Sequence, residues 1–197
     1  MTIRKVKDEI RVLGWDDSPF DSENDERIPL VGSIVRGGKP YLDGVLVEEI
    51  TVDGFDATET IIEASSKTRH RGQLRVIMLD GITFAGFNTV DIEKVYTETD
   101  LPVIVVTRKD TDFEGFKAAM KELPGFEKRW KCIKKAGDLK KLPLPDGSLY
   151  FQYKGIKEES ARKVLELTAS KSLTPEPIRI SHLIASAIKT GESIGGA

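Results

Sequence analysis

The chain has 197 residues, 39% of them hydrophobic, which suffices for one sizeable core, and a single domain spanning residues 1–197 is expected. Lysine and arginine number 30 against 32 acids, so the net charge of −2 excludes a global field for holding a polyanion and leaves that work to local patches or a metal. The lone Cys132 excludes an internal disulfide and a cysteine-cluster zinc site; it reads as a small buried filler. MTIRKVKDEI lacks a signal-peptide core and no run is long enough to span a bilayer, so a cytoplasmic location is expected.

In chain order, EIRVLGW (9 to 15) predicts a strand that ends at Asp16 and Asp17. DDSPFDSENDE (16 to 26) places six acids in eleven residues, too polar and turn-rich to pack. IPLVGSIVRG (28 to 37), the hairpin signal GG and YLDGVLVEEITV (41 to 52) complete an antiparallel meander of three strands. DGFDATETIIEASSK (53 to 67) starts a helix, with Asp56 placed to cap it and Glu59 three residues on. The period then changes to strand (73 to 79), helix (about 88 to 98), strand LPVIVVT (101 to 107) and helix (113 to 123), the alternation of a parallel α/β sheet with right-handed crossovers. KRWKCIKKAGDLKK (128 to 141) is strongly basic, SLYFQYKG (148 to 155) reads as an edge strand or hairpin, and 158 to 169 and 177 to 189 read as helices before a frayed GESIGGA.

The run LRVIML suits a strand covered on both faces, and it leads directly into Asp80 and Gly81. Such sheets bind ligands outside the carboxyl ends of their strands, where an aspartate before a permissive glycine is a candidate working group, although it also suits a turn or a helix cap. A meander followed by two crossover units resembles the ribonuclease H type of fold, in which strands one and four end side by side. By that analogy Asp16 and Asp80 end neighbouring strands, with Asp53 and Asp56 in reach. Crowded carboxylates take up protons unless a cation compensates, and magnesium, or manganese in its place, suits a set of hard oxygen donors. Two such ions activate water and steady the leaving oxygen in phosphodiester cleavage, so the expected chemistry is that of a nuclease.

KPYLDGVLVEE, LDGITFAGF, LPVIVVTRK and TPEPIRISHLIA resemble, in order, four segments of endonuclease V, the repair nuclease that cuts near deaminated bases. The match is closer still to the archaeal endonuclease dU branch, whose pattern VLGxDDxPF, LDGVL, TVDGxDAT, MLDGITxAGFN and PEPIRxxHLIA this chain follows across residues 9 to 190. The resemblance implies a magnesium-dependent endonuclease that nicks DNA beside deoxyuridine or deoxyinosine, leaving a 3′ hydroxyl and a 5′ phosphate.

By the same resemblance Asp16 and Asp80 are metal-holding carboxylates and Asp17 is an extra acid special to the branch. The middle carboxylate is open among Glu48, Glu49 and Asp53, because gapless counting from Gly44 lands on Ile50. Asp53 is preferred: it precedes a glycine at the strand-to-helix junction, whereas Glu48 and Glu49 point to opposite faces of a strand. His182 falls where the family carries a histidine or aspartate able to reach a metal or its water. Pro40, Tyr41 and Leu42 match the wedge that pries base pairs apart, Gly81 lies against the substrate, and Arg108 stands where the family has a lysine near the scissile phosphate. Gly86 replaces a histidine of endonuclease V, which puts identical base recognition in doubt. RHR (69 to 71) and the basic stretch with Trp130 suit contacts to a nucleic-acid backbone. The rival readings are an RNA endonuclease of the same fold and a non-catalytic nucleic-acid-binding protein.

Overall fold

The computed structural model describes residues 5–108, 113–169 and 172–193. Its first three strands, β1 (Arg11–Asp17), β2 (Arg27–Arg36) and β3 (Tyr41–Thr51), form the expected antiparallel meander. After α1 (Ala57–Lys67) come β4 (Val76–Asp80), a small hairpin of β5 (Thr83–Phe84) and β6 (Asn88–Thr89), α2 (Ile92–Thr99) and β7 (Val103–Thr107). The chain then runs through α3 (Phe113–Lys121), α4 (Phe126–Ala136), β8 (Lys140–Leu144), β9 (Gly147–Lys154), α5 (Glu158–Thr168) and α6 (Glu176–Thr190). Seven strands share one mixed sheet in the order β3-β2-β1-β4-β7-β9-β8, with β4 parallel to both β1 and β7.

Three details refine or correct the sequence expectation. The segment around 148 to 155 forms the hairpin of its two alternatives and not the edge strand: β9 pairs antiparallel with β8 and lies between β7 and β8, which leaves β8 at the edge. The second helix starts at Ile92 because Asn88 and Thr89 pair back onto Phe84 and Thr83, and Asp91 then caps it by accepting the Glu93 and Lys94 N–H groups. Asp56 precedes α1 but does not cap it: its carboxylate accepts from Thr51 N, Thr51 Oγ1 and Asn88 Nδ2 and so ties the strand end to the hairpin. The last four residues of GESIGGA lie outside the described part.

Side-chain alternation along β1 sends Leu13 and Trp15 into a core shared with α1 and α2, and Val12 into a second core shared with α5 and α6. On that second face α6 approaches β1 and β2 closely because small residues line the contact. A Cβ on Gly14 would lie 2.5 Å from the Pro177 backbone. A serine clasp locks the approach: Ser33 N–H donates to Ser181 Oγ at 2.9 Å, Ser181 Oγ donates to the Gly14 carbonyl at 2.8 Å, and Ser33 Oγ donates to the Pro177 carbonyl at 2.6 Å. All three groups are buried, where a missing partner costs about 1–3 kcal/mol. The clasp therefore fixes the rotation of α6 as well as its distance. The acidic loop after β1 is ordered by its own bonds, with Asp21 accepting from Glu23 N and Asn24 Nδ2, and it is moored to the end of α6 by a Lys189–Asp25 pair of 2.5 Å.

At the opposite end of the sheet the β2–β3 pairing shifts register between Ile34 and Val35, which leaves Asp43 out of the ladder. Its carboxylate bridges Arg36 (2.8 Å) and Arg11 (2.7 Å), and the Arg36 contact, helped by Arg11, holds its pKa down to about 2. The LDG aspartate is thus a staple across three strands. Asp43→Ala leaves two guanidinium groups facing one another without their shared anion, and a loss of about 2 kcal/mol is expected in urea unfolding. A wild-type midpoint for that variant would reduce the staple to a surface ornament.

Candidate nuclease site

β1 and β4 run parallel with Trp15 opposite Leu79, so the next residues, Asp16 and Asp80, come side by side at the ends of neighbouring strands, one strand spacing of about 4.8 Å apart. Both point to the α6 face. Asp16 is 4% exposed, and the His182 ring aimed by the serine clasp meets it, Nδ1 to Oδ2, at 3.0 Å. Asp80 ends β4, and Gly81 after it takes φ 86°, a left-handed turn that permits an abrupt exit from the strand. Arg108, exposed one residue past the end of β7, lies close enough for its charge to act on Asp80 and His182.

Asp17 turns to the other face. Its Oδ2 accepts the backbone N–H of Ala85, in the tip of the β5–β6 hairpin. Asp53 reaches the same tip from the end of β3: its N–H donates to the Ala85 carbonyl at 2.8 Å, and its Oδ1 accepts from Phe87 N at 2.8 Å. Asp53 and Ala85 are both non-glycine residues at positive φ, 49° and 44°, strain that persists only where surrounding bonds enforce it. The structure thus groups Asp16, Asp80, His182 and the charge of Arg108 on one side, and Asp17 with Asp53 at the hairpin on the other. Glu48 and Glu49 are exposed on β3, Glu49 pairing with Arg27, and Ile50 is buried.

Pro40, Tyr41 and Leu42 are not brought to the carboxylates. Tyr41 pairs with Arg36, which pairs with Arg11, five residues before Asp16, so the hairpin lies about 17 Å back along the strands. Tyr41 and Leu42 are nevertheless 63% and 42% exposed, large apolar groups with little packing of their own. RHR lies beyond the end of α1, with His70 against Gly44 and Arg71 donating to the Thr99 carbonyl.

Two groups went unmarked in the sequence. Ser18, next to the aspartate pair, is 3% exposed with no hydrogen-bond partner for its Oγ among the described residues. Arg129 hides within the basic run, yet it is buried and donates to the carbonyls of Asp53, Gly54, Phe87 and Pro124, clamping the 53–54 turn to the hairpin. Nothing in the sequence distinguishes this one arginine from the solvated lysines beside it.

Burial pushes the Asp16 carboxyl up to about 7; the His182 hydrogen bond works against that rise and the charges of Asp80 and Asp17 add to it. Asp17 is pushed up to about 6, again by burial, opposed by the Ala85 N–H. Asp80 is raised by burial, with Arg108 and His182 opposing, and His182 is raised chiefly by its bond to Asp16. Such a set fits a hard divalent cation, whose charge would relieve both the repulsion and the lost hydration. Among the described residues no three His, Cys, Asp or Glu side chains form a ready metal cluster. A magnesium ion, bound through one or two carboxylates and otherwise by water and phosphate oxygens, fits this pair where a fully protein-caged ion does not.

These shifts predict an unusual stability profile for the metal-free protein. Between the ordinary Asp value of 3.8 and about 7, folded Asp16 retains a proton that the unfolded chain has released, and Asp17 does so up to about 6. The raised His182 acts with the same sign at the top of that window. Stability is therefore lost as pH rises, and melting temperatures in a chelator should fall from about pH 5 to pH 8. Asp16→Asn should flatten the profile. A wild-type profile that rises over the same interval would contradict the assignment.

Comparison with known proteins places the chain. A UPF0215 protein of Methanosarcina mazei is 50% identical over 194 residues, covering 98% of this chain and 97% of that protein. The crystal structure of a protein of unknown function from Archaeoglobus fulgidus is 42% identical, with a TM-score of 0.82 over 91% of this chain and 98% of that one. Ciona intestinalis endonuclease V, in complex with a 24mer DNA containing an inosine followed by a ribo-adenosine, is 13% identical with a TM-score of 0.57 over 88% of this chain and 83% of that one, a likeness of fold. That likeness marks the mixed sheet as ribonuclease H-like. The family model for endonuclease dU matches residues 8–189, and the chain belongs to the endonuclease dU family.

Proposed function

We propose that this chain is a magnesium-dependent endonuclease that cuts one strand of DNA beside a deaminated base such as deoxyuridine or deoxyinosine, manganese serving in place of magnesium. The observation that carries the reading is the pair of buried Asp16 and half-buried Asp80 at adjacent strand ends, with His182 bonded to Asp16. A structural pair would gain nothing from like charges so close, whereas a cation site requires them. Family membership and the fold shared with a DNA-bound endonuclease V support a nuclease acting on nucleic acid.

In this reading Asp16 and Asp80 hold the ion, with Asp17 and Asp53 completing an acidic rim. The bound ion supplies charge stabilisation at the phosphorus centre and a water of lowered pKa. His182, engaged through Nδ1, keeps Nε2 for a water or phosphate oxygen and holds a proton there. Arg108 offsets charge on the scissile phosphate, and Gly81 lets the strand pass close to the backbone. Tyr41 and Leu42, held out by the Pro40 turn, replace stacking lost when a base leaves the duplex.

Oligonucleotides each bearing one altered base, in DNA and RNA versions and with and without magnesium, test this directly. Metal-dependent nicking beside deoxyuridine or deoxyinosine is expected, and preferential cutting of the RNA would transfer the reading to RNA. Asp80→Asn should lower cleavage by at least about 100-fold while the metal-free melting temperature holds or rises, since one of the repelling charges is gone. Near-wild-type cleavage by that variant would remove Asp80 from the site. Replacing Tyr41 and Leu42 with alanine should slow cutting of duplex DNA about tenfold or more and of single strands much less, because only the duplex imposes an unstacking cost. Equal losses on both substrates would make the hairpin mere scaffold.

A further inference from the structure

A cavity of about 250 Å³ opens between the start of α1, the start of α2 and α4, on the face of the sheet opposite His182. Five cations line it, Lys94, Lys128, Arg129, Lys131 and Lys135, against the carboxylates Glu59 and Asp91. This is a concentrated positive site in a chain of net charge −2. Its cations divide into two kinds. Lys94 is held by Glu59 at 2.6 Å and Lys135 by Asp91 at 3.1 Å, so these two are committed to joining α1, α2 and α4. Lys128 and Lys131 are exposed on α4 and have no carboxylate within ion-pair distance among the described residues. Lys128 rests over the Phe55 ring at 4.4 Å, which leaves its charge at the rim.

The floor is positive too. Arg129 is 2% exposed, and the partners of its guanidinium are backbone carbonyls and the Phe55 ring at 4.0 Å, with no carboxylate in salt-bridge range among the described residues. Its charge is solvated by dipoles and offset only in part by the Asp53 carboxylate beyond salt-bridge range, so it adds to the potential inside the cavity. A cavity of about 250 Å³ lies below the range of about 300–1,000 Å³ that encloses a drug-sized ligand. A single tetrahedral anion with its water suits it better than a nucleoside does.

We infer that this cavity is a phosphate-binding site, held open by the paired lysines and charged by Lys128, Lys131 and Arg129, and that it takes a phosphodiester of a nucleic-acid strand. The choice of a strand over free phosphate rests on the nuclease reading and on position. The Arg129 that floors the cavity also holds the Asp53 and Gly54 carbonyls, so a strand crossing the acidic rim at Asp53 meets the cavity next. This second, basic foothold supplies the local patch that a nearly neutral protein needs to retain a polyanion beside its acids.

The chain's only cysteine, Cys132, lines the cavity and reports on it directly. Its alkylation by neutral iodoacetamide should be slowed several-fold by a single-stranded oligonucleotide at micromolar concentration, and by inorganic phosphate only at millimolar concentration; protection by phosphate at micromolar concentration would overturn the assignment to a strand. Lys128→Ala with Lys131→Ala should weaken oligonucleotide binding about tenfold at low salt and lower the slope of log affinity against log salt by about 2. The doubly reversed variant K128E/K131E should lose more, with both variants checked for an unchanged melting temperature. If wild-type protein cuts its substrate while Cys132 reacts equally with and without both ligands and the salt slope is unchanged, the phosphate site is refuted and the nuclease reading stands. If Cys132 is protected by the oligonucleotide and no substrate is cut, the site stands and the nuclease reading falls.

Discussion

Two carboxylates that would separate in water are forced together by the parallel register of β1 and β4, and most of the surrounding structure follows from that constraint. The register fixes Asp16 beside Asp80 because Trp15 is opposite Leu79, and both of those residues are anchored in the core. Shifting either strand by one residue would swing Trp15 or Leu79 onto the α6 face and an aspartate into the first core, so the hydrophobic pattern enforces the charge repulsion. Compensation comes from the α6 side. Gly14, Ser33 and Ser181 let the helix settle close enough for His182 to meet Asp16, and buried hydroxyls leave no alternative rotation in which those groups are all satisfied.

The other side of the sheet is organised around a backbone joint. Asp53 and Ala85, both left-handed, share a hydrogen bond, and each is held by further groups: Ala85 by Asp17, Asp53 by Phe87 N and by Arg129 at its carbonyl. A buried guanidinium suits such a joint because its planar fork reaches carbonyls from several loops at once, which a lysine's single ammonium does not. The β3–α1 turn, the β5–β6 hairpin and α4 consequently behave as one unit at the end of the sheet that bears the acids.

How much of this the sequence disclosed depended on whether the signal was local. Strand runs, the meander and the crossover order are periodic features, and they appear near the expected residues with strand ends moved by three positions at most. The carboxylates at strand ends were legible for the same reason, since Asp16 and Asp80 each follow an apolar run. The tip of the hairpin was not legible: its two-residue strands are too short for any period, and they delayed α2 to Ile92. Asp56 looked like a cap by spacing, yet Thr51 and Asn88 claimed it, a tertiary contact that spacing does not encode. In the sequence Arg129 falls within a basic run suited to contacts with a nucleic-acid backbone, and Cys132 reads as a buried filler. In the structure one face of α4 turns Arg129 into the joint, and Cys132 is half-buried at the cavity wall.

By the resemblance to endonuclease V, two positions look independent: Asp53, the preferred candidate for the middle carboxylate, and Gly86, which stands where that pattern has a histidine. In the fold they are linked. A Cβ on Gly86 would lie 2.4 Å from Asp53 Oδ1, and the glycine's own φ is +82°, so this backbone and this aspartate together leave no room for a side chain. The carboxylate that enters the hairpin occupies the volume a histidine would need, and its Oδ1 takes the Phe87 N–H, organising the loop from within. With Asp53 in this place, residue 86 has no room for a side chain, so the tip of the hairpin is shaped by the carboxylate and carries no imidazole. The Phe20 ring would stand 3.6 Å from a Cβ at residue 86 and is 36% exposed, so an apolar surface borders the hairpin tip. In the proposed function, an aromatic face here would stack on a flat base and tolerate differences in ring substituents that hydrogen bonds to a histidine would not.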